Sequence, residues 1–453
     1  MKKSISRILA LFLSIILVMS ILTACGAATE KPAATTVAEA TKTTDTTTDT
    51  TKETEKKAEP VTLTVMYNQS WEQLPYLERS FKLYQDKTGN MLDLQGLPID
   101  TADQVMMTKF ATGEIPNILI HFGGNGLTPF QPEKNFIDMS SENWVADIKD
   151  FAMFQVKYKD KVYGLPLWEG SVSGILYNKD IFTKFNISVP KTQTEFLAAC
   201  ETLKKNNIIP IYMGFKDVWP LMPQFGLDVV VKDPAVMAKF NSNQTTYAAT
   251  KQVTDMLAFY KMLADKGYLG QKFASNDFAN MEKGLGEGNY AMVYCWDTWL
   301  QTNMDKAYPG MGAKFGLMPI FLGVNDEGTY EGPNAAMFFA CKTGKNDDAA
   351  KAFVNFLAQP EILNEVYKDV ATQTYFKSVT TNKPSQQYSD AKESVDKLIN
   401  ASYAWGGLIG FDQVETVKPI QELMLGGKTV EQAVKEMDDV RIKTAKAQQI
   451  PGF

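Results

Sequence analysis

From Val61 onward the chain alternates strand-patterned and helix-patterned stretches, and this order restricts the possible folds more than any other feature of the sequence. VTLTVMY alternates apolar and polar residues as a strand does, and Leu74, Leu77, Phe81 and Tyr84 then recur at helical spacing. MLDLQGL reads as a second strand, Thr101 to Thr112 as a second helix and Asn117 to His121 as a third strand. A βαβαβ order predicts an α/β protein built on a mainly parallel sheet covered by helices. Ligands of such sheets bind beyond the carboxyl ends of the strands. Those ends are the Asn68 to Glu72 loop, with Trp71, and the His121 to Asn125 loop. His121 is the sole histidine; a polar residue ending a strand is at least as good a reading as ligand contact. Gly123, Gly124 and Gly126 match no phosphate-binding fingerprint and read as a sharp turn or a close backbone approach.

A second strand-and-helix region begins at Tyr163. Leu165 and Pro166 close an extended segment, and Trp168, Glu169, Gly170 and Ser171 form a small-residue corner with one aromatic and one carboxylate. Ile175 to Tyr177 is a short strand ended by Asn178, Lys179 and Asp180; Thr192 with Glu195 then predicts a capping box before a helix whose buried face carries Phe196, Ala199, Cys200 and Leu203. A strand that leaves a Gly-containing corner suits a crossing between domains. Beyond it, Ile208 to Tyr212 is a strand and Asp217, Trp219 and Pro220 begin a helix. Thr246 to Lys266 is a long amphipathic helix, and the strand Tyr290 to Cys295 opens into Trp296, Asp297, Thr298 and Trp299. Lys314 to Ile320 and Ala335 to Cys341 are further strands; the rest is helical, its last helix capped by Thr429 with Gln432.

The amino terminus has a different character. Lys2, Lys3 and Arg7 precede an apolar run from Ile8 to Leu22, short for a bilayer span and suited to a signal peptide over residues 1–24. Residues 25–60 are rich in Thr, Ala, Lys and Glu, lack the apolar surface to offset ordering entropy, and read as a disordered tether. With a formal net charge of -6 and no basic stripe, the chain is a poor candidate for nucleic-acid binding. Cys200, Cys295 and Cys341 show no CxxC spacing and read as buried free thiols; neither a metal nor a cofactor is expected.

The YNKDIF segment, followed by a proline and a capped helix, resembles the signature of extracellular solute-binding proteins of sugar ABC importers. IPNILI at Ile115, EGNYAMVYCWDTW at Glu287, AAKAFVNFLAQPE at Ala349 and GGKTVEQAVKEM at Gly426 resemble other parts of the same family in the same order. The Leu22-Thr23-Ala24-Cys25 ending is similar to a bacterial lipobox, in which Cys25 carries the lipid. The resemblance implies two α/β lobes joined by a hinge, residues 61–167 plus 319–358 forming the first and residues 168–318 plus 359–453 the second. It further implies a monomer anchored by lipid outside the membrane of a Gram-positive bacterium, capturing a carbohydrate and presenting it to permease subunits. A sensor or adhesion subunit using the same closure is the alternative.

Trp168, Trp219, Trp296, Trp299 and Trp405 each lie beside Gly, Pro, Asp or another polar residue at an expected strand end or loop. Aromatic faces cover the C–H face of a sugar while carboxylates and amides pair with its hydroxyls. The candidate contacts are therefore Trp71, His121, Trp168, Glu169, Ser171, Asp217, Trp219, Trp296, Asp297, Trp299, Asn334 and Trp405, the resemblance adding weight at Trp296, Trp299, Trp219 and the Trp168 corner. Glu169 and Asp297 also raise a glycosidase, which needs two suitably spaced carboxyl groups. No nucleophile elbow or HExxH accompanies them, and no catalytic residue is assigned.

Overall fold

The computed structural model describes residues 59–98, 101–217, 221, 223–332 and 334–453. The signal segment, Cys25, the tether and Trp219 lie outside the described residues. The strands are β1 (Thr62–Asn68), β2 (Met91–Leu97), β3 (Ile118–Phe122), β4 (Lys157–Tyr158), β5 (Lys161–Val162), β6 (Gly164–Leu165) and β7 (Ser173–Asn178). They continue with β8 (Ile209–Tyr212), β9 (Tyr290–Trp296), β10 (Phe315–Met318), β11 (Tyr330–Glu331), β12 (Ala336–Ala340) and β13 (Ile399–Asn400). One sheet has the order β2-β1-β3-β12-β6, the other β13-β11-β7-β9-β8 with β10 added beside β7, and β4 pairs with β5 in a small hairpin.

The expected βαβαβ unit is present: β2 and β3 both run parallel to β1, with helices Pro75–Thr88 and Ala102–Thr112 between them. The expectation of mainly parallel sheets is corrected, because β12 is antiparallel to β3 and β7 is antiparallel to β9, β10 and β11. The reason is where the crossing strands begin. Ala336, at the start of β12, faces Phe122, at the end of β3; Ser173, at the start of β7, faces Trp296, at the end of β9. A strand arriving from the other lobe starts at the edge where its neighbour stops, and so must run the opposite way.

Two lobes follow from the packing. The first core draws on Leu63 to Trp168 and Ala335 to Val379. The second sheet is buried on both faces, since successive residues of a strand point to opposite sides: Met292 and Tyr294 of β9 enter one cluster, Val293 and Cys295 the other. The boundaries differ from those expected. Ile320, Phe321, Leu322 and Tyr330 belong to the second lobe because β10 and β11 both pair with β7. Residues 359–379 belong to the first, where Ile362, Leu363, Tyr367 and Tyr375 join its core.

Local signals behave as their chemistry requires. Asn178 ends β7 and caps the next helix, its Oδ1 accepting the N–H groups of Asp180 and Ile181. Thr429 and Gln432 complete a reciprocal capping box. At Thr192 half the box forms: Thr192 accepts the Glu195 N–H, whereas the Glu195 carboxylate takes the N–H of Lys191. The long helix spans Lys251–Asp265 and not Thr246 onward, because Asp438 accepts the N–H groups of Tyr247 and Ala248 and holds that stretch as a turn. Cys200, Cys295 and Cys341 are buried and free.

Candidate functional site

Three segments cross between the lobes: Leu167 to Ser173, Glu331 to Ala335, and the chain after Val379 that reaches Tyr388. The first is tied to the first-lobe segment that leads into the third. Gly170 donates its N–H to the Gln373 carbonyl at 2.8 Å, and a Cβ at Gly170 would lie 2.5 Å from that oxygen, so only glycine fits the approach. The first crossing is also tied to β9, as the Asp297 carboxylate accepts the Val172 N–H at 2.7 Å and the Ser385 hydroxyl of the third crossing.

Glu169 is buried in the same place and accepts the Thr298 hydroxyl at 2.7 Å, while its carbonyl accepts the Tyr375 hydroxyl at 3.2 Å. Burial pushes the Glu169 carboxyl up to about 7, an effect opposed by the Thr298 bond and increased by Asp297. Burial likewise pushes Asp297 up to about 6, against its bonds from Ser385 and the Val172 N–H. These carboxyls brace the crossings. That engagement argues against their use as a glycosidase pair and corrects the expectation that they face a ligand.

Beside the brace lies a file of aromatic rings. Asn68 ends β1 and turns the chain by accepting the Ser70 N–H and hydroxyl, which presents Trp71. The Trp71 ring meets Trp168 at 5.0 Å and Phe122 at 5.6 Å, both edge to face. Trp168 is only 7% exposed, backed by Tyr76 at 5.6 Å, and its carbonyl accepts the Tyr367 hydroxyl. Phe122, the last residue of β3, meets Trp405 of the second lobe at 6.1 Å, and Phe411 supports Trp405 at 5.8 Å. Trp405 rides on the short helix Tyr403–Gly407, which also touches the first lobe: a Cβ at Gly124, whose φ is +64°, would lie 2.6 Å from the Gly406 Cα. Gly124 thus serves an approach between lobes.

The remaining candidates are placed unevenly. His121 points away from Phe122 by strand alternation, packs on Phe130 at 4.8 Å and sets Nε2 3.4 Å from Asp103, so it is a supporting residue of the first lobe and not part of the ring file. Trp299 is fully buried among Leu300, Met304 and Phe315, which removes it from the candidate surface. Trp296 is half-buried and stacks on Phe278 at 5.9 Å; Asp217, nearby, accepts the Phe278 N–H. Ser171 and Asn334 are half-buried in the first and second crossings. Phe122 and Phe411 are the ring contributors absent from the expected set. Strand parity would have separated Phe122 from His121. Among the described residues, no cluster of His, Cys, Asp and Glu is arranged to hold a metal.

Two α/β lobes joined by three crossings, with an aromatic file reaching from one to the other, are an architecture able to hold a ligand between lobes. The chain belongs to the bacterial extracellular solute-binding proteins, whose family model matches residues 68–362. It is 23% identical over 282 residues to the melibiose/raffinose/stachyose-binding protein MelE of Bacillus subtilis, a match covering 58% of this chain and 62% of that protein. The chain therefore aligns with less than two thirds of that relative's length. Among solved structures, it is similar to a chitin oligosaccharide binding protein, with a TM-score of 0.74 and 22% identity over 86% of this chain and 100% of the other. It is also similar to apo RafE from Streptococcus pneumoniae, with a TM-score of 0.64 and 18% identity over 86% of this chain and 99% of the other. These likenesses establish the two-lobed fold.

Proposed function

We propose that the chain is the capture component of a sugar ABC importer, taking a carbohydrate, in particular an oligosaccharide, between its lobes and delivering it to permease subunits. The ring file Trp71, Trp168, Phe122 and Trp405 carries the reading, since it joins both lobes through the half-buried faces of Trp71, Phe122 and Trp405, backed by the buried Trp168, and such faces cover sugar C–H surfaces. Trp296 with Phe278, and Asp217 behind them, offer a second aromatic face in the second lobe. Ser171 and Asn334 supply hydroxyl and amide groups at the crossings. The protein binds without turnover, works as a monomer, and is held by a lipid on Cys25 at the extracellular face of the cell membrane of a Gram-positive bacterium. Relatives named for melibiose, raffinose, stachyose and chitin oligosaccharides support the ligand class.

A thermal-shift screen with raffinose, stachyose, melibiose, chitin oligosaccharides, amino acids and peptides tests it. A specific ligand at a hundredfold excess over Kd stabilises the folded state by about 2.7 kcal/mol. A shift with one sugar class is expected; a shift with peptides or amino acids alone would overturn the carbohydrate assignment.

A further inference from the structure

The helix that carries Trp405 is held in place by two carboxyl groups that have no cation between them. Asp228, on the helix Gln224–Val231, accepts the Ala404 N–H through Oδ1 at 2.6 Å. Glu331, the last residue of β11 in the second crossing, accepts the Ser402 hydroxyl through Oε1 at 2.8 Å. Their other oxygens, Asp228 Oδ2 and Glu331 Oε2, are buried without a hydrogen-bond partner, and the two carboxyls are immediate neighbours. Two carboxylate oxygens cannot bond without a proton, and two adjacent buried carboxyls do not both ionise. Burial and the neighbouring Asp228 raise the Glu331 carboxyl well above its ordinary range, which makes Glu331 the proton holder and Asp228 the acceptor.

Among the described residues, no cation acts on either carboxyl in place of that proton. The Tyr403–Gly407 helix and strands β7, β11 and β13 contribute only Tyr177, Tyr330 and Tyr403 besides Glu331 itself, and a tyrosine carries no positive charge in either form. The first-lobe segments against that helix, Gly124–Phe130 and Met153–Val156, have no titratable residue. On the helices flanking Asp228, Lys239 is exposed, and Lys251 pairs with Asp255 and Lys261 with Asp265 at the surface.

We propose that Asp228 and Glu331 share one proton, and that this proton positions Trp405 against Phe122 and so couples ligand affinity to pH. Both are positioning residues that act on the ring through Ala404 and Ser402. Losing the proton sets two buried charges against each other, which releases the Ala404 N–H anchor or displaces the second crossing. Either movement takes Trp405 out of the file. The consequence for affinity rests on the cleft assignment made above; the movement of Trp405 does not.

The full-length chain is compared with Glu331→Gln, whose amide can still donate to Asp228 but cannot titrate. Acrylamide quenching of Trp405, isolated by subtracting a Trp405→Phe protein, is followed without ligand from about pH 6 to about pH 9. Wild type should show a transition in the Trp405 signal and Glu331→Gln should not. A flat wild-type signal, or the same transition in Glu331→Gln, overturns the proposal. Should Glu331→Gln fail to fold, Asp228→Asn, which retains an acceptor for Ala404, gives the same comparison. Raffinose titration by calorimetry adds the affinity arm: about a tenfold loss per pH unit above the transition is expected in wild type only. Absence of raffinose binding at every pH counts against the ligand assignment, and the quenching result still decides the shared proton.

Discussion

Phe122, at the end of a first-lobe strand, and Trp405, on a second-lobe helix, meet ring to ring at 6.1 Å with their planes tilted by 38°. The contact makes the aromatic file continuous across the two lobes, so each ring can be tested as a wall of one shared site.

Replacing Trp405 or Phe122 by alanine should weaken binding of the ligand found in the thermal-shift screen by about 2 kcal/mol while leaving the fold intact, the behaviour of a central aromatic contact. Calorimetry and far-ultraviolet circular dichroism read the two effects. Unchanged affinity in both variants would remove the file from the site.

Trp299→Ala should act on stability. The side chain is fully buried among Leu300, Met304 and Phe315, and emptying such a position costs about 3 to 5 kcal/mol. Urea unfolding should show a lower midpoint; a midpoint within error of wild type would contradict the packing.

The crossing carboxyls predict a pH dependence. Glu169 is raised to about 7 and Asp297 to about 6, both above their unfolded values of about 4. A raised folded pKa gives stability that is fully present below the unfolded pKa and lost as pH rises through the folded one. The Glu169→Gln protein should therefore lose less stability than wild type between about pH 4 and about pH 8, in urea unfolding at each pH. Parallel curves for the two proteins would show that the Glu169 carboxyl titrates alike in the folded and unfolded chain.

Gly124→Ala tests the contact between lobes. With φ at +64° and a new Cβ 2.6 Å from the Gly406 Cα, alanine is strained and pushes the Trp405 helix away. Small-angle scattering should report a larger radius of gyration than wild type. An unchanged radius would mean that the helix follows the loop.

The βαβαβ unit was legible because alternation and helical spacing are local patterns, carried by residues such as Leu63, Val65, Leu77 and Phe81. Strand direction was not, because nothing near Ala336 or Ser173 states which lobe the chain has just left. Trp168 and Trp405 stood out as aromatics beside polar or small residues, and Trp71 as part of a strand-end loop. Trp299 carries the same signature within WDTW yet turns under the sheet, and Phe122 ends an apolar run and so reads as core. The Asp228–Glu331 pair was invisible, since each is an isolated acid in its own segment and only the tertiary fold brings them together.

The bond between Gly170 and Gln373 has a mechanical meaning. It fastens the first crossing to the first-lobe segment that leads into the third, so that the two bend as one ribbon. Trp168 stands two residues before that tie, whereas the outer ends of the lobes lie far from it. A lever pivoted there moves little at the aromatic wall and much at its tips: a displacement small enough to keep ring contacts with a bound molecule becomes a large change of outline at the distal surfaces.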